Sequence, residues 1–324
     1  MSAAAPHRDA APQNPAEDLL ALLDTSVPDA QVAHLLQRAD ALTRELAGNR
    51  GYVWAAIGID STPCAMGCSF CSHAACWGAY NEQPPLPTDT VVALAGQAAD
   101  AGADFVTLRT TQHYGIERLC ALARRVRARI GDAIQLVVNT GEADIDAVAA
   151  LRAAGVSMSY HTVRLREGVD TGHSLDQRLR SLAAIRAAGM GLQYLVEPVG
   201  PEHTAAEIIT EARRARQLGA HGTGVMARIP VMGTPLAHLG QVSEAGLHRL
   251  TAVARLAYPD GGAICCTHPP SPGALTCGCN TVVVEQAANP RDTGSSEGAW
   301  RGFDLGNARA MLRQAGFSVR TSAG

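Results

Sequence analysis

One pattern recurs along most of this chain and limits what it can become. A helix-like stretch ends in Ala-Gly or Leu-Gly, and a short apolar run follows. The junctions are Ala101-Gly102, Ala154-Gly155, Ala188-Gly189, Leu218-Gly219 and Ala315-Gly316. Glycine just past the last helical residue is the usual left-handed cap that turns a chain into its next element. The apolar runs fall at 53–59, 104–108, 134–138, 156–160, 190–196, 223–229, 263–266 and 281–285. They predict eight strands separated by helices, with only a short connection between the seventh and eighth. Strands alternating with helices pair in parallel. Eight such units in 324 residues predict an α/β fold, a TIM-type (β/α) barrel that is complete or partly open, with a doubly wound open sheet as the alternative. On either fold the active site lies at the carboxyl ends of the strands.

Before the first run, residues 16–48 carry Val32, Leu35, Leu36, Ala39, Leu42 and Leu46 at spacings of three and four, which predicts helix with one buried stripe. The expected organisation is a disordered tail over 1–15, N-terminal helices over 16–50 and a barrel over 51–324. The opening MSAAAPHRDAAPQNP lacks the charged-then-apolar layout of a signal peptide, and no apolar run is long enough to span a membrane. A cytoplasmic protein is therefore expected. A net charge of −3 without blocks of like charge argues against nucleic-acid or membrane-surface partners. All basic side chains other than histidine are arginine. Without lysine, a pyridoxal-phosphate Schiff base or a phosphate-loop lysine is excluded. Nine cysteines in a reducing compartment point to a metal, a cluster or catalysis rather than disulfides.

Directly after the first predicted strand stand Cys64, Cys68 and Cys71, in C-x3-C-x2-C spacing. Three thiolates on one tight loop can hold three corners of an iron–sulfur cubane and leave the fourth iron open to a small chelating molecule. A zinc knuckle completed by Cys76, or unliganded core cysteines, are the alternatives.

This motif, with Phe70 in the aromatic slot before the third cysteine, resembles the radical S-adenosylmethionine (SAM) superfamily. The resemblance covers most of the chain from about residue 50. It is strongest to the branch containing biotin synthase, the related hydrogenase maturase and methylornithine synthase. It is carried by Leu151-Arg-Ala-Ala-Gly155 with the following Tyr160-His161, by Leu175-Asp-Gln-Arg178-Leu, and by Arg228-Ile-Pro-Val-Met-Gly-Thr-Pro-Leu236. It implies a 4Fe-4S cluster on Cys64, Cys68 and Cys71 with SAM on the open iron. SAM contacts are then expected from Phe70 at the adenine, Arg178 at the carboxylate, Arg166 and Glu167 at the methionine or ribose, Asn139, and Met226 and Ile229 around the adenine. Arg164 is as readily a surface ion as a ligand. A reductively generated 5′-deoxyadenosyl radical would take hydrogen from an unactivated C–H bond of a small-molecule or carrier-bound substrate, with flavodoxin or ferredoxin as electron donor.

Polar groups placed after strands are substrate candidates: Thr110, Thr111, His113, Tyr114, Glu142, His161, Glu197, His203 and His268. Asn289-Pro-Arg-Asp292 could close the mouth or bind an anion. One departure from biotin synthase is informative. That enzyme holds a second cluster with cysteines on its second, third and fifth strands, and the matching runs here contain none. Cys265, Cys266, Cys277 and Cys279 could instead form an auxiliary cluster of another kind, or be buried small residues. With such a cluster, sulfur insertion of the biotin or lipoyl type follows; without it, a carbon-skeleton rearrangement or a cofactor-assembly step. A non-catalytic iron–sulfur or zinc scaffold is the reading of a different class.

Overall fold

A computed structural model describes residues 15–79, 84–287 and 303–321. The tail expected before residue 15 and the Asn289–Asp292 segment lie outside them.

The chain begins with α1 (Pro15–Leu23) and α2 (Asp29–Ala47). The expected single helical stretch is thus split at residues 24–28, where Asp24 turns the chain by accepting from the Ser26 backbone and hydroxyl. On α2 the fully buried positions are Val32, Leu35, Ala39 and Thr43. Leu36, Leu42 and Leu46 are only half-buried, so the stripe is narrower than expected.

The alternating series then runs β1 (Tyr52–Gly58), α3 (Thr88–Asp100), β2 (Phe105–Arg109), α4 (Ile116–Ile130), β3 (Gln135–Asn139), α5 (Ile145–Ala153), β4 (Met158–Tyr160) and α6 (Leu175–Ala187). It continues with β5 (Gly191–Gln193), β6 (Val196–Val199), α7 (Ala205–Gln217), β7 (Gly222–Ala227), α8 (Glu244–Leu256), β8 (Ile264–His268), β9 (Thr281–Ala287) and α9 (Leu305–Gln314). The N-terminal helices pack on α8, and Thr43 donates to the Gly278 carbonyl in the β8–β9 link.

Every strand pairing is parallel, in the order β5-β4-β3-β2-β1-β9-β8-β7-β6, and a further pairing of β5 with β7 at Gln193 and Gly222 closes the ring. The barrel is therefore closed, with eight staves, as in a TIM-type fold. The fifth predicted run forms one stave in two pieces, β5 and β6. Between them, Tyr194 turns outward, its hydroxyl donating to Glu211 of α7 and accepting from the Val163 backbone. The short connection expected before the last strand is a single 3-10 turn at Gly273–Thr276.

Alternate residues of each strand face the barrel interior. Register aligns Gly58 with Arg109, Arg109 with Asn139, and Ala56 with Glu285. The uppermost inward layer is therefore polar and includes Arg109, Asn139, Tyr160, His268 and Glu285. Outside, the stave faces pack on the helices through a continuous aliphatic core including Ile57, Leu108, Leu136 and Leu192.

Candidate active site

The three-cysteine loop leaves β1 and is tied down by its own backbone. The Cys64 amide donates to the His73 carbonyl at 2.7 Å, and the Ala75 amide to the Cys64 carbonyl at 2.9 Å. Two neighbouring loops hold it from outside. The Ser69 amide donates to the Asp170 carbonyl after β4, and the Leu236 amide to the Ser69 carbonyl from the loop after β7. At its base, Asp60 accepts from the Thr111 amide and hydroxyl at 2.9 and 2.7 Å. These bonds fix the thiols without a ligand being needed to shape the loop.

Gly172 makes the closest approach to this loop. A Cβ there would stand 2.1 Å from the Met66 carbonyl oxygen, a backbone atom that cannot swing aside. Gly172→Ala is expected to push the cysteine loop outward, at a stability cost of about 1–3 kcal/mol. Iron and sulfide content after reconstitution should fall well below wild type while the far-ultraviolet circular dichroism stays the same; full retention would refute this.

Cys64, Cys68 and Cys71 are all partly exposed and line one cavity of about 870 Å³, measured with its open mouth. That volume lies in the range of ligand sites. Among the described residues, no three or more His, Cys, Asp or Glu side chains are arranged to hold a single metal ion. One zinc would draw its sulfurs to about 2.3 Å from a common point; thiols spread round a cavity suit the separate corners of a cluster. Cys76, the candidate fourth zinc ligand, is exposed and does not line the cavity. Burial raises the Cys68 and Cys71 thiols, and Arg164 opposes this at both.

Opposite the cysteines stand β4 and α6. A reciprocal capping box between Ser174 and Gln177 starts α6 and presents Arg178 one turn in. Arg178 is buried and already holds two carboxylates: its Nε donates to Glu167 at 2.9 Å and its Nη1 to Glu142. Glu142 also accepts from Ser181 at 2.6 Å and lies 3.3 Å from His161 and 3.6 Å from His173. Burial pushes the Glu142 carboxyl up, but His161, Arg178 and Ser181 outweigh it and hold the group at about 2, against an ordinary 4.5. His173 is held down to about 4 from 6.5, first by burial and then by Arg178.

Both shifts act in the same direction. The unfolded chain takes up protons on these groups before the folded protein does, so their stabilisation is whole at neutral pH. The His173 part is lost as pH falls from 6.5 towards 4, and the Glu142 part from 4.5 towards 2. The Tm is expected to drop by several degrees between pH 7 and 4.5, and His173→Asn should flatten that slope.

The structure brings many of the expected residues to the mouth cavity: Phe70, Thr110, Thr111, Asn139, His161, Arg178 and Glu197 line it with the cysteines. Others lie elsewhere. The Arg166 side chain points away, donating to Glu207 at 2.7 Å and to the Glu202 carbonyl. Glu207 belongs to the capping box of α7. The guanidinium in the cavity is instead Arg164, 3.7 Å from Glu197. Glu167 lines neither this cavity nor the one beneath; it accepts from Arg178, Thr171 and the Arg164 amide. Ile229 is buried away from both, His113 is exposed, and Tyr114 packs under Arg118.

Beneath the mouth lies a second chamber inside the barrel, lined by Trp54, Leu195, Met226, Cys266, His268, Val283 and Glu285, among others. It shares Arg109, Asn139 and Tyr160 with the mouth cavity. The Tyr160 hydroxyl donates to Glu197, and burial followed by that carboxylate keeps the phenol protonated. Arg109 donates to Glu285 at 2.9 Å. The sequence signal for this pair was alternation, which places the last residues of β2 and β9 inward. His73 and His173, also in the mouth, carried no such signal.

Of the four C-terminal cysteines, only Cys266 reaches a cavity. Cys265, its strand neighbour, faces the opposite side, beside Arg255, and burial pushes its thiol up to about 12. Cys277 and Cys279 are buried in the β8–β9 link, where the Cys279 thiol donates to the Thr281 carbonyl.

No family model matches the chain. Among curated proteins, it is 28% identical over 257 residues to the biotin synthase of Oleidesulfovibrio alaskensis, covering 75% of this chain and 76% of that one. It is 27% identical over 256 residues to the biotin synthase of Desulforudis audaxviator, covering 75% of each. Among solved structures, methylornithine synthase superposes with a TM-score of 0.78 at 17% identity, over 96% of this chain and 95% of that one. The FeFe-hydrogenase maturase from Carboxydothermus hydrogenoformans gives 0.69 at 15% identity, over 86% and 70%.

Proposed function

We propose, on the premise that this chain is a radical SAM protein of the biotin-synthase-like branch, that it cleaves SAM reductively at a 4Fe-4S cluster and takes hydrogen from an unactivated C–H bond of a small substrate. The observation carrying this reading is the stacking of two cavities that share Arg109, Asn139 and Tyr160: a mouth with three thiols, and a chamber inside the barrel. When bound, the cluster and SAM supply a 5′-deoxyadenosyl radical as the hydrogen-abstracting group.

The chain's own residues bind, orient and shield. Cys64, Cys68 and Cys71 hold the cluster. Arg178 and Arg164 supply guanidinium forks, well shaped for the SAM carboxylate. Phe70 and Asn139 line the space for the nucleoside, and Met226 lies at the chamber below. Arg166, Glu167 and Ile229 act as scaffold, Glu167 by fixing Arg178. Thr110, His161, Glu197 and His268 remain substrate-side groups, with His161 kept neutral by burial. The barrel wall excludes water and stray hydrogen donors from the chamber. A one-electron donor such as flavodoxin or ferredoxin supplies the reducing equivalent.

Strands β2, β3 and β5 carry no cysteine, and only Cys266 of the C-terminal four reaches the chamber. This favours a carbon-skeleton rearrangement or a cofactor-assembly step over sulfur insertion. The expected result is 5′-deoxyadenosine formed from SAM by the anaerobically reconstituted, chemically reduced protein. An intact cluster that yields none would leave a non-catalytic iron–sulfur scaffold as the reading.

A further inference from the structure

The charge pattern of the inner chamber narrows the substrate class; this step rests on the radical-enzyme reading and deepens it. Among the described lining residues, Arg109 and Glu285 carry the only opposite full charges. They meet at 2.9 Å with side chains about nine-tenths buried. They come from β2 and β9, on either side of β1, whose inward positions at this level are Ala56 and Gly58. These small residues let the pair span β1 while leaving the space above it open. Around it stand neutral hydrogen-bonding groups, Asn139 and Gln193, and an apolar wall that includes Trp54 and Leu195.

A buried ion pair is not needed for packing, since an apolar pair of similar volume would fill the same space at no desolvation cost. Facing a cavity, it has a different value: it offers an acceptor for a cation beside a donor for an anion, at zero net charge. We propose that the chamber takes a small zwitterion bearing an ammonium and a carboxylate, an amino acid in the chemical sense. The carboxylate pairs with Arg109, the ammonium with Glu285, and the carbon chain lies against the apolar wall. A simple monocarboxylate is disfavoured, because taking Arg109 leaves the Glu285 charge buried and unpaired. A monocation is disfavoured by the same argument at Arg109.

The test uses the reconstituted holoenzyme with SAM and a panel of α-, β- and γ-amino acids with aliphatic, aromatic and basic side chains. Each is paired with its N-acetyl derivative, a monoanion, and its methyl ester, a monocation. Binding is followed by calorimetry, and 5′-deoxyadenosine is assayed in parallel. At least one free amino acid should bind, with both derivatives weaker by about tenfold or more. Glu285→Gln frees Arg109 and removes the ammonium's partner, so the N-acetyl derivative should then bind better than the amino acid. That gain also shows that the variant is folded. Wild-type binding of a monoanion or monocation as tight as the zwitterion, or no binding anywhere in the panel while SAM is still cleaved, overturns the proposal. Zwitterion binding with the expected charge preference but no 5′-deoxyadenosine supports the pocket's selectivity and sinks the radical chemistry instead.

Discussion

Replacing Cys64, Cys68 and Cys71 together by alanine is expected to take 5′-deoxyadenosine formation to background, and iron and sulfide content with it. The argument is geometric. These thiols share one cavity and are the sulfur ligands of its wall. Thiolate is the ligand on which such a cluster depends, and without it no starting point for the radical remains. The structural cost should be small, since all three are partly exposed and the loop is held by backbone bonds that alanine preserves. The residual iron is the informative quantity. Cys265, Cys266, Cys277 and Cys279 are buried, with neighbours on β8 facing opposite ways. They are expected to add no second cluster, so the triple variant should carry almost no iron. A stoichiometric residue would revive the auxiliary site. Cys277→Ala and Cys279→Ala, in contrast, should keep the wild-type iron content.

Arg178→Met should have the largest effect on stability. It removes the counter-charge of Glu142 and Glu167 at once, leaving two carboxylates in a region where Arg178 is 4% and Glu167 2% exposed. Breaking a buried pair on one side costs about 3–5 kcal/mol. In a chain of this length that corresponds to a fall in Tm on the order of 5–15 °C. Adding Glu142→Gln and Glu167→Gln to Arg178→Met should recover much of the loss, because the uncompensated charges go too. Thermal unfolding of the three proteins decides it: a single variant as stable as wild type would show that the network contributes nothing. SAM affinity in the compensated variant then reports Arg178's role towards the cofactor apart from its role in the fold.

The pattern of glycine-capped helices and apolar runs made the barrel legible from sequence, because each stave and its cap is local chemistry. The cysteine motif was legible for the same reason: ligand spacing on one loop is written in consecutive residues. Less legible was which of several polar residues after a strand turns inward. Arg164 and Arg166 are two apart, yet Arg166 reaches across to Glu207 on the next helix while Arg164 enters the cavity. That outcome depends on a partner 41 residues away, beyond any periodicity.

Sequence by itself determined the order of elements, the end of the barrel that bears chemistry and the three thiols there, all set by contacts within a turn or a strand. Tertiary structure alone decided closure of the ring between β5 and β7, the pairing of Arg178 with two carboxylates and the meeting of Arg109 with Glu285 across β1. The physical reason is that these depend on register between distant segments, and register is fixed only when all eight staves and their helices bury their apolar faces together.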